Sequence, residues 1–301
     1  MGVADEPIAI VGAGAVGGLI AAELHAAGNR VTMCVRRPFD RLVVDREDAP
    51  REFAVAPPGL AVATSPGDVR PVRWVVVALK AQDAAAAAPW LARLVGDGTT
   101  VVAVQNGIEQ RERLEPHASG APVVPALADT AVERIGPGRL VHRGGELVTV
   151  ADAPGMAGFA RLFHGGALRV VLEPDFTTAS WRKLLANIAA NPLTTLTGRR
   201  MEVFTDPGIR ALALGLVREA AAAGRAEGAR LADDEAERVL ARCDGYPPDA
   251  GSSMLHDRLA GRPLEHDALT GAVLRAATRH DLPAPLNQAV LALLAALDGA
   301  P

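Results

Sequence analysis

The stretch "IAIVGAGAVGG", Ile8 to Gly18, decides how the rest of the chain is read. Its four leading apolar residues form a buried strand, and Gly12, Gly14 and Gly17 follow in G-x-G-x-x-G spacing. That spacing alone is a weak signal. Here it leaves a strand and opens a helical stretch, from about Val16 to Ala27, which is the context it needs. The first glycine permits the tight turn, the second lets a pyrophosphate approach the backbone, and the third allows close helix–strand packing. Ala15 and Val16 stand at the start of this helix, where amide donors and the positive end of the helix dipole favour phosphate. A glycine-rich turn without a ligand is the plainer reading of the same letters.

Outward from this loop, "RVTMCV" (30–35), "WVVVAL" (74–79) and "TVVAVQ" (100–105) are continuous β-branched runs, with a helix expected from about Ala81 to Leu94. Unbroken runs, without clean alternation, indicate strands covered on both faces, as in a parallel sheet. Segments 121–128, 139–150 and 167–172 add further strands, some antiparallel through the turn "IGPGR". Beyond about Asp175 helical periodicity takes over, from Thr178 to Leu297, broken by "GRRMEVFTDPG", "DGYPPDAGSS" and "HDLPAPLN". The expected fold is therefore α/β at the N-terminus, a Rossmann-type dinucleotide-binding domain over residues 1–174, followed by an all-α domain over 175–301.

Ligands of open α/β sheets collect at the carboxyl ends of strands. After the second strand the chain reads "CVRRPFD", with Arg36 and Arg37 where proteins that prefer NAD place an acid for the ribose 2′-hydroxyl. The pair can neutralise a 2′-phosphate, which predicts NADP(H); an exposed basic pair after a strand is the alternative. "ALKAQD" puts Lys80 just past the next strand and "QNGIE" puts Asn106 just past the one after. Singly these fit a solvated lysine and a turn-forming Asn-Gly pair. Together, at one strand edge, they point toward nicotinamide or substrate.

Composition narrows the rest. A net charge of −4 gives no electrostatic reason for a nucleic-acid or anionic-membrane partner, and 3% aromatic residues offer few base-stacking platforms. Cys34 and Cys243 are far apart in sequence and support neither a disulfide framework nor a zinc site. The seven histidines form no HxxxH or HExxH pair, so no metal is expected. With no leader and no run of about 18 apolar residues, a reduced, cytoplasmic protein is expected.

Two segments in the helical half carry the chemistry. In "WRKLLANIAANPLT" (181–194), Lys183, Asn187 and Asn191 recur every four residues and so share one stripe of a helix. Asparagine is a poor helix former, so two in register ask for a reason. Pro192 disfavours helical geometry at Asn191, so the stripe is expected to end at a kink or helix terminus. In "SSMLHDRLAGRPLEHD" (252–267), Ser252 or Ser253 can cap a helix, and Glu265 fits a helix N-terminus.

The glycine loop, "ALKA", "VQNG" and these two segments, in this order along nearly the whole chain, resemble the ketopantoate reductase family. The resemblance implies a Rossmann domain with a C-terminal domain like that of 6-phosphogluconate dehydrogenase, and NADPH-dependent reduction of a 2-keto acid, ketopantoate, to pantoate on the way to coenzyme A. It implies that Lys183 and Glu265 are catalytic and that Asn187, Asn191 and Ser253 bind substrate. Asn106 would serve both substrate and cofactor, and Lys80 would join Gly12, Gly14, Ala15, Val16, Gly17 and Arg36 around the cofactor. A homodimer rests on the resemblance alone.

The chemistry fits independently. Hydride addition to a ketone builds negative charge on its oxygen, which an ammonium can stabilise and protonate. Asparagines offer both donors and acceptors. Amides and a hydroxyl, without a bidentate arginine, suit a hydroxylated substrate. Departures from the family pattern are the absence of an asparagine from Thr195 to Val203, and His266 and Thr270 where Ile and Asn are frequent. A paralogous reductase of another carbonyl substrate and a non-catalytic NADP(H)-binding sensor are the alternatives.

Overall fold

The computed structural model describes residues 7–46 and 49–298. The chain separates into two compact units, one of residues 1–105 and 110–176, the other of residues 106–109 and 177–301.

The first unit is built on an eight-stranded sheet. Its central strands are β1 (Ile8–Val11), β2 (Val31–Cys34), β5 (Leu60–Ala63), β6 (Trp74–Val77), β7 (Thr100–Val104) and β8 (Val123–Asp129), all parallel. β11 (Leu147–Ala151) joins β8 antiparallel and carries β12 (Arg169–Glu173), giving the order β12-β11-β8-β7-β6-β1-β2-β5. Alternation within each strand feeds two separate cores. Ile8, Ile10, Val76 and Val102 pack on one face with Leu19, Ile20 and Leu24 of helix α1 (Ala15–Ala26). Ala9, Val11, Val75 and Val77 pack on the other with Leu91 and Leu94 of α2 (Ala88–Leu94) and Leu114 of α3 (Gln110–Leu114). Burial on both faces is why these strands read as unbroken apolar runs. Phe159 of α4 (Met156–Arg161) closes the α1 face against Trp74, ring centroids 5.4 Å apart.

A second, four-stranded sheet has the order β4-β3-β10-β9, from β3 (Arg41–Asp45), β4 (Arg51–Ala54), β9 (Val132–Gly136) and β10 (Arg139–His142). Strands pair antiparallel about the "IGPGR" turn, β9 with β10, but the run expected over 139–150 is divided between β10 and β11 in different sheets, and β3, β4, β5 and β9 were not anticipated. Buried Glu23 of α1 is tied to this region by Arg51 at 2.8 Å and Arg46 at 3.5 Å. The helix expected over 81–94 is corrected: Ala81–Ala87 is 3₁₀, and α geometry starts only at Ala88. Pro89 has no N–H for the carbonyl of Ala85 and its ring crowds that carbonyl, so an α ladder cannot run through this point.

The second unit is helical: α5 (Phe176–Thr197), α6 (Pro207–Ala226), α7 (Glu235–Asp244), α8 (Ser253–Leu259), a π-helical turn at Asp267–Gly271, α9 (Ala272–Arg279) and α10 (Pro285–Asp298). Trp181, Leu184, Leu185 and Ile188 of α5 form its core with Leu216, Val217 and Ala220 of α6, Val239 of α7, Met254 of α8 and Val273 of α9. Asp206 caps α6 by accepting from the Gly208 and Ile209 amides at 2.8 and 3.1 Å, with Pro207 as the first helical residue. No helix among the described residues is long and apolar enough to cross a membrane.

Of the kink or helix terminus expected at Asn191, the terminus is corrected. The helix runs through Pro192 to Thr197. Proline removes the N–H that would serve the Ile188 carbonyl and costs about 3 kcal/mol in an exposed helix. Here Asn191, Pro192 and Leu193 are buried, and tertiary packing overrides the local preference. Hydroxyls bond the carbonyls on either side of the proline: Thr194 donates to Ala190 at 2.7 Å and Thr197 to Leu193 at 2.6 Å.

Candidate active site

In the first unit the registers Val11↔Cys34, Val11↔Val77 and Val77↔Ala103 bring the carboxyl ends of β1, β2, β6 and β7 level. The glycine loop, Arg36 and Lys80 leave the sheet at this edge. Gly12 has φ +95°, a conformation L side chains rarely adopt, and its amide donates to the Cys34 carbonyl at 3.3 Å. A Cβ on Gly17 would lie 2.1 Å from the Gly12 carbonyl oxygen, so turn and helix touch backbone to backbone. A Cβ on Gly14, by contrast, would meet nothing within 4 Å. Gly14 is the N-cap of α1, no side chain caps it, and no acid lies in the first turn. The helix start is thus an uncapped set of donors facing open space, which fits a pyrophosphate. Arg36 and Arg37 are exposed two and three residues beyond β2.

Lys80 directly precedes the 3₁₀ turn after β6 and is half-buried. Gln105, which sequence reading passed over, holds the backbone there: its Nε2 donates to the Leu79 carbonyl at 3.0 Å and the Lys80 carbonyl at 3.4 Å. Cys34, at the end of β2, is packing material. Burial pushes its thiol up to about 12, so it stays protonated at neutral pH.

In the second unit Lys183 and Asn187 are half-buried on α5, and Asn191 is buried on the same stripe. The Ser253 hydroxyl donates to Oδ1 of Asn191 at 3.5 Å. Among the described residues, the Nδ2 atoms of both Asn187 and Asn191 are buried without a hydrogen-bond partner. A buried donor left unmet costs about 1–3 kcal/mol, and an acceptor-rich ligand could meet both. The two serines divide their duties. Ser252 is the N-cap of α8, accepting from the Leu255 amide at 3.2 Å, and its hydroxyl lies 2.7 Å from that of Thr194. Ser253 is thereby released from capping.

Glu265 is buried, and Asn106 Nδ2 donates to its Oε2 at 3.3 Å. The residues that follow Asn106 lie close to the π-helical turn: a Cβ on Gly107, φ +95°, would stand 2.6 Å from the Ala268 carbonyl oxygen. Arg275 binds Glu109 through two parallel bonds of 2.9 and 2.7 Å. Neither Glu109 nor Arg275 was marked by its sequence context. The second unit therefore offers an ammonium, two unmet amides, a hydroxyl and a carboxylate, a set able to hold and protonate a small polar carbonyl compound.

Residues 8–155 match the family model described as "Ketopantoate reductase PanE/ApbA", and residues 175–298 match "Ketopantoate reductase PanE/ApbA C terminal". A 2-dehydropantoate 2-reductase of Mycobacterium tuberculosis is 41% identical over 295 residues, covering 98% of each chain. The crystal structure of 2-dehydropantoate 2-reductase from Geobacter metallireducens superposes with a TM-score of 0.89 at 26% identity, over 96% of this chain and 99% of that one. A dimeric ketopantoate reductase from Staphylococcus aureus gives 0.86 at 25% identity, over 97% and 98%. Glycine loop, lysine–asparagine stripe and buried glutamate thus sit in a chain matched almost end to end, and the protein belongs to the ketopantoate reductase family of oxidoreductases.

Proposed function

We propose that the protein reduces 2-dehydropantoate to pantoate with NADPH. The observation that carries this reading is the pair of buried, unmet amides of Asn187 and Asn191 on the stripe headed by Lys183. Such donors suit carboxylate, carbonyl and hydroxyl oxygens, and their cost is removed when a substrate supplies them.

NADPH fits the first unit through the uncapped α1 terminus, the open space at Gly14 and the basic Arg36 in place of an acid. Bound there, the reduced nicotinamide supplies the hydride. The rest is work for the chain's own groups. The Lys183 ammonium draws negative charge onto the substrate carbonyl oxygen and gives it the proton that completes the alcohol. Asn187 and Asn191 hold the acid, with Ser253 orienting the Asn191 amide. Glu265, steadied by Asn106, accepts from a substrate hydroxyl or from the ammonium. Lys80, at the strand edge of the first unit, serves the cofactor.

Arg36→Ala should weaken NADPH by about tenfold, the low end for a charged hydrogen bond because the site is exposed, while NADH is unaffected. Dissociation constants for both nucleotides test this, and equal losses would remove Arg36 from the 2′-phosphate. By likeness to the dimeric Staphylococcus aureus enzyme we also propose a homodimer. Light scattering should return twice the 31.2 kDa chain mass, and a monomer at micromolar concentration would refute it.

A further inference from the structure

Arg275 of α9 is partly buried and binds two carboxylates. Its Nε and Nη2 donate to the two oxygens of Glu109 at 2.9 and 2.7 Å, a fork-to-fork pair. Its Nη1 donates to Asp267 Oδ1 at 2.7 Å, and Nη2 also reaches the Asp267 carbonyl at 2.9 Å. One guanidinium therefore holds a side chain of the 106–109 segment and both side chain and backbone of the π-helical turn. Glu109 is the more enclosed partner, 15% exposed against 40% for Arg275. Three residues before Glu109 lies Asn106, whose amide rests on buried Glu265. Between them Gly107 lies so close to Ala268 that a methyl group would not fit.

We propose that Arg275 is a positioning residue: by gripping Glu109 and Asp267 together it fixes the Asn106–Glu109 segment on the π-helical turn, which keeps the Asn106 amide on Glu265. Its bearing on turnover rests on the reductase reading above; the placement of the segment does not. Without the guanidinium, Glu109 and Asp267 lose the cation they share, so the segment loosens on the π-helical turn and Asn106 loses its aim. Lysine keeps the charge but not the fork, so it can restore only part of the grip.

The test uses the full chain. Hydrogen–deuterium exchange should show the amides of 106–109 at least about tenfold faster in Arg275→Ala, given the 1.4 kcal/mol that a tenfold change represents. Arg279→Ala, which breaks an exposed pair with Glu227 on the same helix, should leave them unchanged. Arg275→Lys should recover part of the protection. If Arg275→Ala does not fold, Glu109→Gln, which keeps the side-chain volume, should show the same loosening in weaker form. In kinetics, Arg275→Ala should lower kcat/KM for the keto acid about tenfold, and should cost almost nothing further in an Asn106→Ala background. Unchanged exchange at 106–109, or a full additional loss in the Asn106→Ala background, overturns the proposal. A wild-type chain that reduces no keto acid, yet loosens at 106–109 in Arg275→Ala, would keep the positioning and remove the reductase reading instead.

Discussion

Lys183→Ala is expected to lower kcat by about 10²–10⁴-fold, the usual range for a general acid, with NADPH affinity within twofold of wild type. Alanine is the best helix former, so α5 loses nothing from propensity. The adjacent Leu184 and Leu185, at most 1% exposed, keep their places in the core. The loss should therefore fall on chemistry and not on folding. Lys183→Arg should rescue little, because a guanidinium keeps its proton at any ordinary pH and cannot deliver it to an alkoxide. Loss in kcat and kcat/KM together would show an interaction made in the transition state, whereas a rise in KM alone would make Lys183 a binding group. A drop of less than tenfold would remove it from the acid role.

The second large effect concerns the glycine loop, and two alanine substitutions separate its duties. Gly17→Ala puts a methyl carbon 2.1 Å from the Gly12 carbonyl oxygen. The obstacle is backbone, so β1 and α1 must move apart, at about 1–3 kcal/mol or more, and both stability and NADPH binding should suffer. Gly14→Ala meets nothing within 4 Å and its φ of −74° suits alanine. Its melting temperature should stay near wild type while NADPH binds at least about tenfold more weakly, since the methyl group stands where a pyrophosphate must approach the backbone. Thermal melts and nucleotide titrations on both variants decide the matter. Wild-type affinity in Gly14→Ala would show that phosphate does not come to this loop.

What the sequence discloses depends on how local the cause is. β1, β2, β6 and β7 are legible because a strand covered on both faces must be apolar throughout. β3 and β4 are not: "RLVVD" and "REFA" are short and interrupted by charges, and β3 takes its second partner, β10, almost a hundred residues later. "LAVA" at β5 is too short to tell from helix. At Pro192 a sound local rule meets a buried context that outweighs it. The same division holds at the site. Lys183, Asn187 and Asn191 are visible because helical periodicity lines them up within one segment. The Asn106–Glu265 bond spans 159 positions and the Arg275–Glu109 pair 166, distances over which no spacing rule operates. Ser252 and Ser253 are indistinguishable as letters, and only the hydrogen bond to the Leu255 amide shows which one caps α8.

The proposed reductase uses its asparagine stripe to hold a hydroxylated 2-keto acid. The most direct test is NADPH oxidation with 2-dehydropantoate beside 2-keto acids that lack its hydroxyl. Turnover is expected, with kcat/KM for 2-dehydropantoate at least about tenfold above the others, because the wrong substrate leaves buried polar groups unmet. NADPH binding with no turnover of any keto acid would contradict it and leave a nucleotide-binding sensor in its place.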